Sequence, residues 1–150
     1  MIALGTVAPD FTLKDQDGKA LKLSTLKGKK VLLSFRPLAW TQVCHDQMRS
    51  LEENHDRLDK LNTVALGIGV DSVPSNKAWG ASMDIKNTRL LSDFWPHGAV
   101  AQALGVFREK DGFAERSNIV LDETGKVVFA RIYPTSQLPD IEEVIKFLGK

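Results

Sequence analysis

Residues 31–44 have the sequence Val31-Leu32-Leu33-Ser34-Phe35-Arg36-Pro37-Leu38-Ala39-Trp40-Thr41-Gln42-Val43-Cys44. The first five residues form an almost continuous apolar run, which is typical of a central strand that is buried on both faces. Pro37 ends this strand, because proline has no N–H to donate to a neighbouring strand. The segment therefore predicts a buried strand, a rigid turn, and a cysteine close to the start of the next element.

A helical period follows the turn. One stripe of residues recurs at steps of three or four: Cys44, Met48, Leu51, His55, Leu58 and Leu61. This spacing predicts a helix from about Gln42 to Leu61 whose stripe faces the core. Thr41 is suited to cap this helix, because its hydroxyl can accept a hydrogen bond from a free N–H. We therefore expect Cys44 in the first turn, on the side that faces the protein.

The segments on either side continue the alternation of strands and helices. Further strands are expected at residues 11–14, 20–23, 64–70, 89–91, 119–122 and 126–132, and further helices at 75–83, at 98–104 and around Ile141, Val144, Ile145 and Leu148. Asp15-Gln16-Asp17-Gly18 separates the first two strands, which predicts an N-terminal β-hairpin. Strands that alternate with helices indicate parallel pairing.

This order of elements predicts an α/β protein that resembles the thioredoxin-like fold. The expected architecture is a central mixed β-sheet flanked by helices, with the N-terminal β-hairpin added to it. No repeat, low-complexity tract or linker interrupts the chain, so we expect a single domain over residues 1–150.

Composition and charge exclude several classes of function. Lys and Arg total 20 against 19 for Asp and Glu, a net charge of +1, so the chain lacks the basic field that binds nucleic acid. The first residues lack the basic and apolar regions of a signal peptide. No apolar run approaches the roughly 20 residues of a membrane span. We expect a cytoplasmic protein with neither nucleic acid nor membrane as a partner.

The chain has one cysteine, Cys44, which excludes an intrachain disulfide and every zinc site with two or more thiolates. A lone cysteine is either a buried apolar residue or a reactive thiol, and without context the first is the more common. The first turn of a helix favours the second, because free N–H groups and the positive end of the dipole stabilise a thiolate there.

The pattern Pro37-x-x-x-Thr41-x-x-Cys44 is similar to the active-site signature of the peroxiredoxins, the alkyl hydroperoxide reductase and thiol-specific antioxidant superfamily. Arg116, six residues before Asp122, stands where that family has its active-site arginine. Other segments that resemble the family are Ala8-Pro9-Asp10-Phe11-Thr12-Leu13, Asp71-Ser72 with Ala78-Trp79, Ser92-Asp93-Phe94-Trp95-Pro96-His97-Gly98, and Leu104-Gly105-Val106. The resemblance covers almost the whole chain.

The resemblance implies a one-cysteine peroxidase without a cofactor. Separately, His45 and His55 fall on different faces of one predicted helix, so we expect no metal site. Cys44 would reduce hydrogen peroxide and organic hydroperoxides through a sulfenic acid. Thr41 and Arg116 would bind the peroxide and the sulfur, while Pro37 would shape and dry the pocket. An external thiol reductant would regenerate Cys44: a low-molecular-weight thiol, thioredoxin or a glutaredoxin-like protein. The resemblance also favours a homodimer.

Four positions depart from the commonest pattern of the family. They are Arg36, Gln47, Asn76 and Asn118, where an aromatic residue, Glu, His and a Thr or apolar residue are more usual. None of these changes removes a group that the resemblance makes catalytic. They leave the subgroup and the electrostatics of the pocket open, and Arg36 adds a cation close to the sulfur.

Two alternatives belong to other functional classes. A thioredoxin-type thiol–disulfide oxidoreductase needs Cys-x-x-Cys, but Thr41 occupies the place of the first cysteine. A peroxide-sensing redox switch would begin with the same sulfenic acid, so only the rate constant with peroxide separates it from a peroxidase. Gly67-Ile68-Gly69 lacks the third glycine of a dinucleotide-binding loop and is expected inside a strand.

Overall fold

The central feature of the computed structural model, which describes all 150 residues, is a seven-stranded mixed β-sheet. Its seven strands are β1 (Thr12–Lys14), β2 (Ala20–Lys22), β3 (Lys30–Phe35), β4 (Thr63–Gly69), β5 (Arg89–Ser92), β8 (Ser117–Leu121) and β9 (Val127–Ile132), and a separate two-stranded sheet consists of β6 (Phe107–Arg108) and β7 (Phe113–Ala114). The helices are α1 (Gln42–Glu53), α2 (His55–Lys60), α3 (Val73–Ser82), α4 (Ala99–Ala103) and α5 (Ile141–Leu148), with a 3-10 turn at Leu23–Leu26.

Strand β3 lies inside the sheet, whose order is β2-β1-β5-β4-β3-β8-β9. It pairs in parallel with β4, which in turn pairs in parallel with β5, as expected from strands joined by helices. On its other side β3 pairs antiparallel with β8, and β8 pairs antiparallel with β9. The hairpin of β1 and β2 joins the outer edge of β5. The predicted mixed, thioredoxin-like sheet with its N-terminal hairpin is confirmed.

Neighbouring residues of the strands point to opposite faces of the sheet and divide the core into two layers. Leu32 belongs to a cluster that includes Cys44, Met48, Trp79 and Val144, so α1, α2, α3 and α5 cover that face. Leu33, next in sequence, belongs to the other cluster, which α4 covers. Both faces of β3 are therefore buried, which explains its nearly continuous apolar sequence.

The strand directions bring three separate segments together at the same end of the central strands. Phe35, the last residue of β3, lies beside Ile68 near the end of β4 and beside Ser117 at the start of β8. The residues that follow β3 and β4 and the residue that precedes β8 therefore meet. Arg36, Asp71 and Arg116 are such residues, and α1 begins above them.

The predicted helix over 42–61 is two helices, with a break at Asn54. The side-chain amide of Asn54 donates to the carbonyl of Ser50 at 2.8 Å, and its backbone φ and ψ of −103° and 13° are not helical. Asn side chains compete with the helix for backbone groups in this way. Cys44, Met48, Leu51 and Leu58 of the stripe are nevertheless buried, as predicted.

A small hairpin, β6 with β7, was not expected from the sequence. Its strands have only two residues each, and the charged segment Glu109-Lys110-Asp111 with Gly112 separates them, so no alternating pattern marks them. Gly67 and Gly69 lie inside β4, as expected. None of the helices has both the length and the apolar character that crossing a membrane requires.

Gly67 sets the distance between β4 and α1, because a Cβ there would lie 2.3 Å from the sulfur of Met48. We expect Gly67→Ala to lower the free energy of unfolding by about 1–3 kcal/mol, the usual cost of overpacking a core. Gly80→Ala is the control, since its nearest contact would be 3.2 Å from Leu90 and a helical alanine gains propensity. Urea denaturation measures both, and an equally stable Gly67→Ala variant would contradict this account of the packing.

Candidate active site

Cys44 is the third residue of α1 and is completely buried. The N–H groups of the first helical turn have no acceptor within the helix. No side chain caps this end of α1. A negative charge on the sulfur is thus placed at the positive end of the helix, where free N–H groups can stabilise it.

Thr41 occupies the N-cap position of α1 but does not cap it. Its backbone is extended, as at an ordinary N-cap, yet its hydroxyl donates to the carbonyl of Leu38 at 2.8 Å. The prediction that the side chain caps the helix is therefore wrong, because the turn after Pro37 offers a closer acceptor. The hydroxyl proton is engaged in this bond, so the oxygen of Thr41 remains free to act as an acceptor.

Arg116 directly precedes β8 and contacts the sulfur of Cys44. Its Nη1 lies 3.3 Å from Cys44 Sγ and 2.8 Å from the side-chain oxygen of Gln47. On the other side of the guanidinium, Nε and Nη2 both donate to the carbonyl of Thr135, at 2.9 and 2.7 Å. The side chain is buried. The guanidinium is therefore held in one orientation, with one nitrogen directed at the thiol.

Gln47 connects the arginine to the sheet. Its amide nitrogen donates to Ser34 Oγ at 2.8 Å and to the carbonyl of Phe35 at 3.0 Å. Ser34 Oγ in turn donates to Asn118 Oδ1 at 2.8 Å. Two of the positions that depart from the common family pattern, 47 and 118, thus belong to one buried hydrogen-bond chain. This chain orients Arg116 with neutral groups only.

The other two departures, Arg36 and Asn76, form a second buried cluster. Arg36 Nη2 donates to Asn76 Oδ1 at 2.7 Å, and Nη1 pairs with Asp71 Oδ2 at 3.2 Å. The guanidinium lies over the ring of Trp79, 4.7 Å from its centre. Asp71 also accepts from the backbone N–H of Ala39 at 2.8 Å. The cluster therefore ties the turn after β3 to the residues that follow β4.

The turn itself combines buried and exposed residues. Pro37 is buried, while Leu38 and Trp40 are exposed. Trp40 has a φ of 68°, in the left-handed region, and its indole N–H donates to Ser75 Oγ at 3.1 Å. A shallow cavity of about 150 Å³ at the start of α1 is lined by Trp40, Thr41, Gln42, His45, Trp79 and Ser82.

The structure brings Cys44 and Arg116 into direct contact and places Pro37 and Thr41 in the adjoining turn. Ser34 and Thr135 were not foreseen as parts of the site. Ser34 is the one polar residue inside the apolar run of β3, which is a usable signal. Thr135 contributes only its carbonyl, which every residue has, so the sequence carries no signal for it.

This arrangement can activate a thiol. A buried cysteine at a helix start, with a fixed guanidinium at hydrogen-bond distance, has the surroundings that favour a thiolate. The same donors can stabilise negative charge that develops on an oxygen bound next to the sulfur.

Comparisons with known proteins relate the chain to one family. Residues 4–130 match the model of the AhpC/TSA family. The chain is 40% identical over 141 residues to alkyl hydroperoxide reductase E of Mycobacterium tuberculosis, which covers 93% of this chain and 92% of that protein.

Two solved structures share the fold. The reduced 2-Cys peroxiredoxin of Plasmodium vivax superposes with a TM-score of 0.88 at 26% identity, covering 99% of this chain and 81% of the other. Enterococcus faecalis AhpC superposes with a TM-score of 0.91 at 22% identity, covering 99% and 92%. The family match, the relative and the single thiol lead to one conclusion: the chain belongs to the AhpC/TSA family and is a thiol-dependent peroxidase of the one-cysteine type.

Proposed function

We propose that Cys44 is the residue that attacks the peroxide. The observation that carries this proposal is the 3.3 Å contact between Arg116 Nη1 and Cys44 Sγ, in a chain that has no other thiol. The thiolate attacks the terminal oxygen of a hydroperoxide, so that an S–O bond forms while the O–O bond breaks. The leaving oxygen departs with the electron pair and takes up a proton. Sulfur is oxidised to a sulfenic acid, and hydrogen peroxide or an organic hydroperoxide is reduced to water or an alcohol.

Arg116 stabilises negative charge both before and after the attack on the peroxide. Its guanidinium faces the thiolate before attack and can reach the leaving oxygen after it. Because Thr135 and Gln47 already hold the guanidinium, no reorganisation is needed during the reaction. The free N–H groups of the first turn of α1 assist it.

Thr41 and Pro37 complete the pocket. The Thr41 hydroxyl donates a hydrogen bond to the Leu38 carbonyl, so its oxygen can accept a hydrogen bond from the peroxide O–H. Pro37 is buried and has no N–H, and it excludes water from the sulfur without competing for the peroxide.

An external thiol restores Cys44. The sulfenic acid condenses with one thiol to give a mixed disulfide and water, and a second thiol releases Cys44 as a disulfide of the reductant forms. The reductant is a low-molecular-weight thiol, thioredoxin or a glutaredoxin-like protein. The chain offers no second cysteine for this step.

We further propose that the protein acts as a homodimer of single-domain subunits in the cytoplasm. Exposed apolar side chains gather around the start of α3 and support the dimer. Trp40 is bonded to Ser75 there, and Phe94 and Trp95 line a groove with Pro74. Trp95 is 80% exposed, which is unusual for a large aromatic side chain without a partner.

Replacing the only thiol tests the assignment of Cys44. We expect Cys44→Ser to abolish peroxide consumption, because the serine hydroxyl is a far weaker nucleophile than a thiolate. In the native protein, one equivalent of peroxide should add a single oxygen to the peptide that contains Cys44, as seen by mass spectrometry. Circular dichroism checks that the variant is folded. Thiol-dependent peroxidase activity in Cys44→Ser would refute the proposal.

Removing the guanidinium tests the role of Arg116. We expect Arg116→Ala to slow the reaction with peroxide by on the order of 10²-fold or more, the loss seen when one oxyanion donor is removed. Arg131→Ala is the matched control, because Arg131 is an exposed cation on β9 that pairs with Glu143. Stopped-flow kinetics measures both rates, and a near-native rate in Arg116→Ala would exclude a role for this side chain.

Recycling can be tested without knowing the reductant. In the absence of thiol, excess peroxide should oxidise Cys44 further to sulfinic and sulfonic acids, because no partner thiol is available. With thiol present, a mixed disulfide at Cys44 and renewed turnover are expected. Intact-mass analysis and non-reducing electrophoresis follow both. Rapid, high-yield formation of a Cys44–Cys44 dimer would contradict the prediction, since Cys44 is completely buried.

A further inference from the structure

The guanidinium of Arg36 is buried in a space that the fold keeps free for it. The residue is 0% exposed and covers one face of Trp79. A Cβ at Gly69 would lie 1.7 Å from Arg36 Nη1, so a side chain at position 69 would force the guanidinium to move. Arg36 is therefore an integral part of the protein interior and not a surface side chain that folds back onto the protein.

The partners of Arg36 leave its hydrogen-bonding capacity incompletely satisfied. Asp71 supplies one carboxylate oxygen, and Asn76 supplies a neutral acceptor. The Nε of Arg36 is buried without any hydrogen-bond partner. Such an orphan donor reduces stability and is uncommon in native interiors. Arg36 is therefore costly to bury, even though it is paired with Asp71.

Arg36 lies on the same face of the sheet as Cys44, because its guanidinium covers Trp79 and Trp79 belongs to the buried cluster that contains Cys44. Arg116 approaches from β8 and Arg36 extends over Gly69 of β4, and these strands are the two neighbours of β3. Burial lowers the pKa of the Arg36 guanidinium, while the negative charges of Asp71 and the Cys44 thiolate raise it. Arginine remains protonated in proteins. Arg36 thus places a positive charge on the Cys44 face of the sheet, although Arg116 is the residue that donates a hydrogen bond to the sulfur.

The other titratable groups around the site do not supply this charge. His45 is paired with Asp46, and both side chains are about two-fifths exposed to solvent. Tyr133, directly after β9, donates to Glu143 of α5, and burial raises the pKa of the tyrosine, which therefore stays neutral. Two buried cations, Arg36 and Arg116, and one partly exposed carboxylate, Asp71, remain, so a thiolate would balance the excess positive charge.

We propose that Arg36 is a positioning residue of this peroxidase, which favours the thiolate form of Cys44 through its buried charge and does not act on the leaving oxygen. The proposal rests on the proposed function of Cys44. Arg36 is enclosed on the protein side, whereas peroxide arrives from the solvent side. Its guanidinium is held by Asp71 and Asn76, so we assign it a charge effect at the sulfur and no contact with the departing oxygen.

This placement has opposite effects on the amount and on the reactivity of the thiolate. A cation near the sulfur increases the thiolate fraction at a given pH. It also lowers the nucleophilicity of that thiolate, because nucleophilicity falls with basicity along a Brønsted slope of about 0.4–0.5. Arg36 should consequently speed the reaction at low pH and give no benefit at high pH, where the thiol is ionised in any case.

Alkylation of Cys44 by iodoacetamide tests the charge effect without peroxide. We expect Arg36→Met to move the pH profile of alkylation upward by about one unit or more, the scale of losing a nearby opposite charge. Arg36→Lys keeps the charge and should stay close to the native profile. Asp71→Asn removes the compensating anion, keeps the acceptor for Ala39, and should move the profile downward. An unshifted profile in Arg36→Met, or shifts of the same sign in Arg36→Met and Asp71→Asn, would overturn the proposal.

The proposal remains testable even if one of the variants does not fold. Arg36→Met leaves Asp71 without its cation, so the double variant Arg36→Met/Asp71→Asn removes both charges together. Its profile should lie closer to the native one than that of either single variant. If Arg36→Met does not fold, the downward shift of Asp71→Asn and the near-native profile of the double variant support the proposal, and their absence overturns it.

The rate with hydrogen peroxide supplies a second, independent measurement. For Arg36→Met we expect a loss of about tenfold at low pH that disappears at high pH, where the rate equals or exceeds the native one. A uniform loss at every pH would indicate structural damage and would overturn the proposal. If the alkylation profiles shift as expected but the native protein does not consume peroxide, the proposed function fails while the role of Arg36 stands.

Discussion

The site depends on a buried guanidinium that must have its N–H groups bonded. A cation removed from water is costly unless hydrogen bonds replace its hydration. For Arg116 these bonds come from three places: the carbonyl of Thr135 after β9, the amide of Gln47 on α1, and the sulfur of Cys44. The hydrogen bonds of the Arg116 side chain therefore fix β8, the loop after β9 and the start of α1 relative to one another. The geometry of the thiol follows from that requirement.

Most of the groups that hold Arg116 in place are neutral. Its positive charge is therefore not cancelled and can act on the sulfur of Cys44. Gln47 orients Arg116 and is itself held by Phe35 and Ser34, without a carboxylate in the chain. A carboxylate at position 47 would bind the guanidinium more tightly and cancel part of its field. The amide keeps the geometry and leaves the positive charge uncompensated where the thiolate forms.

The sequence predicted the parts of this site that are local. Cys44 could be placed in the first turn of a helix because the apolar period begins there and Pro37 ends the strand before it. Arg116 could be assigned only through the family resemblance, because an arginine before a strand has no distinctive local pattern. The contacts of Gln47 with Ser34 and of Arg36 with Asn76 join segments that are far apart in sequence. Such contacts depend on strand order and register, which periodicity does not encode. The break at Asn54 was missed because the apolar stripe continues through it.

The absence of a side chain at position 69 couples substitutions at positions 36 and 69. The guanidinium of Arg36 fills the volume beside Gly69, so neither residue can be exchanged independently of the other. An arginine at position 36 is acceptable only in a background that already has glycine at 69. Once it is in place, even an alanine at 69 would force it to move. Substitution at these two positions is therefore coupled: the side chain at 36 must become smaller before one can be added at 69 without displacing it.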